Sequence, residues 1–141
     1  IIEQVEGTQP LRIVVDLGLR FQLYNNGPGK LLLAHLPDKQ RDQVISQLKL
    51  KACTPRTITT KSGLKKECER IVSQGYSIDY AEGNEGIHCL AAPIMSEFDG
   101  VVGAIWVTGP AKRLPKSRFK ELGEQVKAAA AMASQRIQQL G

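Results

Sequence analysis

Apolar positions along the chain fall into two rhythms. Alternation with a period of two predicts strands at Ile1–Val5 and Leu11–Leu17, joined by Glu6–Pro10, whose Gly and Pro punctuate a turn. A third extended piece after Gly18 uses Leu19, Phe21 and Leu23. The polar loop Tyr24–Lys30 then feeds an apolar helix entry at Leu31–Leu36. A second helix opens at Pro37-Asp38, with Asp38 as N-cap and Val44, Ile45 and Leu48 as its stripe. Leu50–Thr60 reads as irregular. A third helix runs over Ser62–Gln74, with Leu64, Cys68, Ile71 and Val72 on one face and Gly75 just past its end. The last helix follows Pro115 and Ser117, with Phe119, Leu122, Val126, Ala129, Ala130, Ala133, Ile137 and Leu140 in steps of three and four.

Between these helices lies Gly75–Pro110: a strand at Tyr76–Tyr80, a Gly-rich loop at Glu82–Gly86 and a hairpin over Ile87–Thr108. Asp99-Gly100 between two apolar runs is a strong hairpin signal. A turn of two or four residues there pairs odd positions with even ones. Side chains alternate across a strand. One face therefore carries Ile87, Cys89, Ala91 and Pro93 with Val102, Ala104, Trp106 and Thr108. The other carries His88, Leu90, Ala92 and Ile94 with Val101, Gly103, Ile105 and Val107. Both faces are largely apolar, so each needs a cover. The first mixes a thiol, a hydroxyl and an indole among apolar groups, as a ligand pocket floor does. Irregular alternation of strands and helices around a hairpin predicts the α+β class, one antiparallel sheet with helices on its face or faces.

A chain of 141 residues makes one domain with room for a core. No apolar run approaches the ~20 residues of a membrane helix, and no signal peptide is visible. Three cysteines without CxxC spacing argue against a disulfide framework or zinc ribbon and fit reduced thiols in a cytoplasmic protein. The net charge of +5 is spread and interleaved with acids. The basic-rich Lys112–Arg118 segment is read as a solvated rim rather than a nucleic-acid patch.

Several chemistries fail on spacing. His88 and Cys89 are neighbours in a strand and point to opposite faces, so they make no nucleophile pair. Two isolated histidines and three dispersed cysteines make no metal site. Cys68 reads as a core thiol. GPGK lacks the second glycine of a P-loop, so no nucleotide site is expected; the entry at Gly27–Lys30 is either a carboxylate-binding helix start or a start packed on the sheet. Asp79 shares a face with Ser77. It is either a solvated or loop-bonding carboxylate or, if its strand lies beside the hairpin, a companion of Cys89. No cofactor and no catalytic residue is expected.

Gly75-Tyr76, Asp79, the run Glu82–Pro93, then Asp99-Gly100, Gly103-Ala104 and Thr108-Gly109-Pro110 together resemble the effector-binding domain of the IclR family of bacterial transcription regulators. Val5-Glu6-Gly7, Pro10-Leu11-Arg12, Asn26–Lys30 and Thr54–Thr59 extend the resemblance over nearly the whole chain. It implies a GAF-like fold, a sensor for a small organic acid, and homodimers or homotetramers. Operator DNA would be read only through an N-terminal winged helix-turn-helix domain that this chain lacks. The chain starts without Met and reads as an N-terminally truncated sensor domain. The resemblance places the effector against Asn26, Gly27 and Pro28, with Gly27, Gly29 or Lys30 giving the amides that Pro28 cannot. It makes Asp79 the pocket acid and Cys89 the pocket thiol. Trp106 and Thr108 take two positions that usually hold small hydroxyl residues, and Ile13, Phe21 and Ile87 form the wall. Trp106 is the departure, because an indole there reshapes the cavity. Three readings remain in view: a ligand-sensing regulatory domain, an enzyme using Cys89 or Asp79, and an oligomerisation domain with a vestigial site.

Overall fold

A computed structural model describes residues 1–140, with side chains to Gln139; the expected end of the last stripe at Leu140 falls outside those side chains. The elements run α1 (Gly27–Ala34), α2 (Asp38–Gln47), α3 (Lys61–Gln74), β1 (Ser77–Tyr80), β2 (Ile87–Ser96), β3 (Gly100–Pro110), a single 3-10 turn (Lys116–Arg118) and α4 (Phe119–Leu140). The strands form one antiparallel sheet in the order β1-β2-β3. This is the expected α+β architecture, with a core on each side of the sheet.

On one side α1 lies on all three strands, and α3 packs on α1. The core there joins Leu31, Leu33, Ala34, Ile45, Leu64, Cys68 and Ile71 to Ala91, with Ala104 and Trp106 at its margin. On the other side α4 crosses β2. Phe119, Leu122, Val126 and Ala130 of α4 cover Tyr76, Leu90 and Ala92, with Val107 alongside. Gly123 allows that approach: a Cβ on it would lie 2.3 Å from a ring carbon of Tyr76.

The expected turn of two or four residues is overturned, since Ser96 pairs with Gly100 across three residues, yet the expected odd–even pairing holds along the body of the hairpin. Cys89 pairs with Thr108, Ala91 with Trp106 and Pro93 with Ala104; Leu90 faces Val107 across the ladder. A bulge after Ile94 corrects the tip: Ile94 pairs with Gly103 but Met95 with Val101, leaving Val102 as the extra residue. Val101 thus leaves the face that simple alternation assigns it, and Val102 is left without a partner.

The N-terminal expectation is overturned. Residues 1–23 contain no strand. Ile2, Val5 and Leu11 are 96%, 94% and 69% exposed, so neither face of an Ile1–Val5/Leu11–Leu17 pair is covered. A two-stranded ribbon is marginal without an apolar face to bury. The arm closes instead through its ends, with the Ile1 ammonium on the Leu19 carbonyl and the Gly18 amide on the Ile1 carbonyl. Two smaller corrections concern helices. Asp38 is the first residue of α2 rather than its cap; Pro37 holds that place, and Asp38 pairs with Arg41 one turn on. Val72 is exposed, because α3 presents only the narrower Leu64–Cys68–Ile71 stripe to α1.

Candidate functional site

The sheet face beneath α1 gathers the small and polar side chains of the strands. Asp79 pairs with Cys89, and Cys89 with Thr108, so the three form one row across the sheet. Ser77, Ala91 and Trp106 form the next row. Helix α1 meets this face through its first residue. A Cβ on Gly27 would lie 2.9 Å from the Cys89 sulfur, and Ser77 Oγ donates to the Gly27 carbonyl at 2.6 Å. The Gly27 backbone lies directly against Cys89 Sγ. Helix entry, acid, thiol and hydroxyl thus meet, as the sequence anticipated. Phe21, from the N-terminal arm, stands edge-on to Trp106 with ring centres 5.8 Å apart. These two half-buried aromatics lie at the Trp106 end of the Ser77–Ala91–Trp106 row.

Other expected contributors are placed differently. Asn26 caps α1, its side-chain oxygen accepting from the Gly29 amide at 2.7 Å, and its amide nitrogen donates to the Gln22 carbonyl. The Lys30 amide bonds the Asn26 carbonyl. Gly29 and Lys30 therefore have no amide left for a ligand; of the donors anticipated there, Gly27 remains. Gly29 is needed for another reason, since a Cβ would lie 2.1 Å from the Gln22 carbonyl oxygen. Pro28 occupies the first turn, where its missing N–H costs nothing. Ile87 sits at the end of the face, paired with Pro110, and Ile13 stays half-buried in the arm.

Asp79 combines both readings given to it. It faces Cys89, and it also binds the loop, accepting the Glu82 amide at 2.7 Å. Burial pushes its carboxyl up, against the Glu82 amide, the Lys30 charge and the Gly83 amide that pull it down. Burial likewise pushes the Cys89 thiol far up, and the Asp79 charge adds to this. Cys89 is thus held as a thiol, the opposite of what a nucleophile requires.

The residue that alternation conceals is Lys30. Its side chain is fully buried, and its ammonium gives three bonds: to Glu67 Oε1 at 2.9 Å, to the Ile78 carbonyl at 2.7 Å and to Glu82 Oε1 at 2.8 Å. Glu67 is shared with Arg70, which reaches both its oxygens. Burial raises the Glu67 carboxyl, but Arg70 and Lys30 outweigh it and hold the group below the ordinary range. Glu82 goes the other way, raised by burial against the pull of Lys30. The available signal was a lysine inside an otherwise apolar helix start, GPGKLLLA.

Two open clefts lie elsewhere, one between Gly75, Met95 and α4, the other between Thr54–Arg56 and Ala81–Gly86; neither is lined by a residue expected in the pocket. No helix among the described residues is long and apolar enough to cross a membrane, and they hold no cluster of three metal-ligating side chains.

Residues 1–135 match the model of the bacterial transcriptional regulator IclR C-terminal family. The chain belongs to the IclR family. It is 35% identical over 127 residues to the HTH-type transcriptional repressor AllR of Escherichia coli K12, covering 90% of this chain and 47% of AllR. The chain thus spans about half the length of the curated IclR-family relatives it matches. The Thermotoga maritima IclR crystal structure superposes with a TM-score of 0.88 at 32% identity, over 96% of this chain and 55% of that one. The inducer-binding domain of Acinetobacter PobR, solved as a double mutant with 3-hydroxybenzoic acid, shares the fold at a TM-score of 0.77 and 19% identity, over 89% and 70% of the two chains.

Proposed function

We propose that this domain senses a small carboxylic acid on the α1-covered face of the sheet and thereby changes operator binding by an attached winged helix-turn-helix domain. The observation that carries this reading is the row Asp79–Cys89–Thr108 under the Gly27 amide, with Trp106 and Phe21 beside it. Acceptor, donor and aromatic surface converge there, each supplied by a different element. Gly27 offers an N–H to the carboxylate. Asp79, its carboxyl raised by burial, stands beside Cys89 on the same face as an acceptor for a hydroxyl of the effector. The PobR domain supports the ligand class, since its structure holds an aromatic acid. The regulators sharing the family support the output, which needs only that the effector bind one arrangement of the assembled protein better than another. We place the protein in the cytoplasm as a homodimer or homotetramer, and assign it no enzymatic activity, because burial and the neighbouring Asp79 charge hold Cys89 as an unreactive thiol.

A second reading has its own support. Gly27 packs tightly on Cys89, and Phe21 touches Trp106, so the face is filled in this arrangement. An oligomerisation domain with a vestigial site would look the same. A thermal-shift screen of keto, hydroxy and aromatic acids separates the two, followed by calorimetry and Trp106 emission on any acid that stabilises. A ligand at ~100 times Kd adds about 2.7 kcal/mol of stability. Stabilisation accompanied by a change in Trp106 emission is the expected result. No stabilisation by any acid favours the vestigial site, and binding with constant emission moves the site off this face.

A further inference from the structure

Lys30 lies one helical turn beyond Gly27, the residue that touches Cys89. A fully buried lysine is rare, because an unpaired ammonium in the interior is very costly. Here every N–H is used, and each acceptor belongs to a different segment: Glu67 on α3, Ile78 on β1 and Glu82 in the loop after β1. Glu82 is itself gripped at three points. Lys30 holds its carboxylate, Asp79 its amide, and Thr57 its carbonyl at 2.6 Å. Thr54 holds the preceding carbonyl of Ala81, which stands in the left-handed region at φ 55. The grip of Lys30 on Glu82 is incomplete. Oε2 lies 2.8 Å from the ammonium but makes no aligned hydrogen bond, and it is buried without another partner. The charged groups around the ammonium are Glu67 and Arg70 on α3, Asp79 on β1 and Glu82 in the loop, with the neutral Cys89 thiol on β2.

We propose that Lys30 is the positioning residue of the effector site: its ammonium fixes the Gly27 entry, Asp79 and the Glu82–Gly86 loop relative to one another and, through Glu67 and Arg70, ties them to the outer face of α3. Resting on the effector reading, it adds a route out of the site, because any shift of the loop or of Gly27 reaches an exposed arginine through two shared bonds. A stabilising role alone does not account for the arrangement. Replacing a whole buried ionic set by neutral groups of like volume is often harmless to stability, whereas removing one member is not.

That contrast supplies the test. The triple variant Lys30→Met/Glu67→Gln/Glu82→Gln removes the charges and keeps the volumes. Amide exchange at Gly83, Asn84 and Glu85, and the Trp106 emission spectrum, are measured on the full chain without ligand. Retained cooperative unfolding with at least tenfold faster loop exchange and shifted emission is expected. Cooperative unfolding with exchange and emission both within twofold of the parent would reduce Lys30 to a structural ion pair and overturn the proposal. If the triple variant does not fold, Glu82→Gln alone gives the same readout, as Lys30 keeps its other two acceptors; loop exchange within twofold of the parent again overturns it. Every measurement is ligand-free, so its failure leaves the effector reading standing, and a failed acid screen leaves this one standing.

Discussion

The two faces of the sheet are built from different materials. Toward α4 the strands present Tyr76, Leu90, Ala92 and Val107, and the helix answers with Phe119, Leu122, Val126 and Ala130. The polar group here is His88, whose Nδ1 is satisfied by the Leu114 carbonyl at 2.7 Å, while its ring stacks among Tyr80 and Phe119. Toward α1 the strands present Ser77, Asp79, Cys89, Ala91 and Thr108, and the helix answers with the backbone of Gly27. Apolar interdigitation gives the first face its cohesion. The second face joins an apolar core, Leu31, Leu33 and Ile71 with Ala91, to a directed bond from Ser77 Oγ to the Gly27 carbonyl, and a directed bond can be exchanged for another at little net cost. The same three strands thus carry a largely apolar face toward α4 and a mixed polar and apolar face toward α1.

Phe119→Ala should separate the faces most sharply. The ring is buried against Tyr80 and His88. Its loss should cost about 3–5 kcal/mol in urea unfolding, yet leave the Trp106 emission of the folded protein unchanged. A shift in that emission would mean the faces are mechanically coupled. Gly123→Ala probes the same side more gently. The new methyl collides with Tyr76, and overpacking should cost about 1–3 kcal/mol despite the better helix propensity of alanine. Equal or higher stability would mean that the Tyr76 ring moves aside freely.

Asp79→Asn probes the other side through pH. The folded carboxyl is raised above its ordinary 3.8, so the native state holds that proton more tightly than the unfolded chain does. Its contribution is fully present below pH 3.8 and is lost as pH rises through the folded value, each unit of separation being worth about 1.4 kcal/mol. The asparagine variant lacks this slope, so it should gain on the parent between pH 3 and pH 7. Parallel stability profiles for the two proteins would contradict the raised carboxyl. Last, thiol labelling at pH 8 should modify exposed Cys53 quickly. Cys68, its thiol pushed up to about 11 by burial, and Cys89 should react only as fast as the domain opens. Cys89 reacting as fast as Cys53 would show that its face is open to solvent.

What the sequence revealed follows the range of each signal. The existence of the hairpin was legible from Asp99-Gly100 between two apolar runs, but its turn has three residues rather than two or four and sets the opposite parity at the tip. Cys89, Trp106 and Thr108 share the expected face because the bulge at Val102 restores the odd–even pairing, which no local signal in the sequence announced. The N-terminal arm carries an equally regular alternation, but alternation names no partner, and nothing covers Ile2, Val5 or Leu11. The charge cluster was invisible for a related reason. Lys30 finds Glu67 and Glu82 at separations of 37 and 52 residues, far beyond any helix or turn rule, and a lone lysine in an apolar run looks like a solvent-facing interruption. For Asp79 the loop-bonding alternative read from alternation is met by its bond to the Glu82 amide, and its place beside Cys89 needed the strand order as well.

The bulge beyond Ile94 bears on how the chain avoids folding wrongly. Beside it the Met95 amide donates to Ser134 Oγ of α4 at 2.8 Å, and that hydroxyl donates to the Ala130 carbonyl. Sliding β3 by one residue would turn every side chain to the opposite face, sending the indole to the α4 side and a valine into the row of Asp79 and Cys89. The extra residue Val102, about six residues or ~20 Å along the hairpin from the level of the thiol, is what places Trp106 and Thr108 on the face of Asp79 and Cys89.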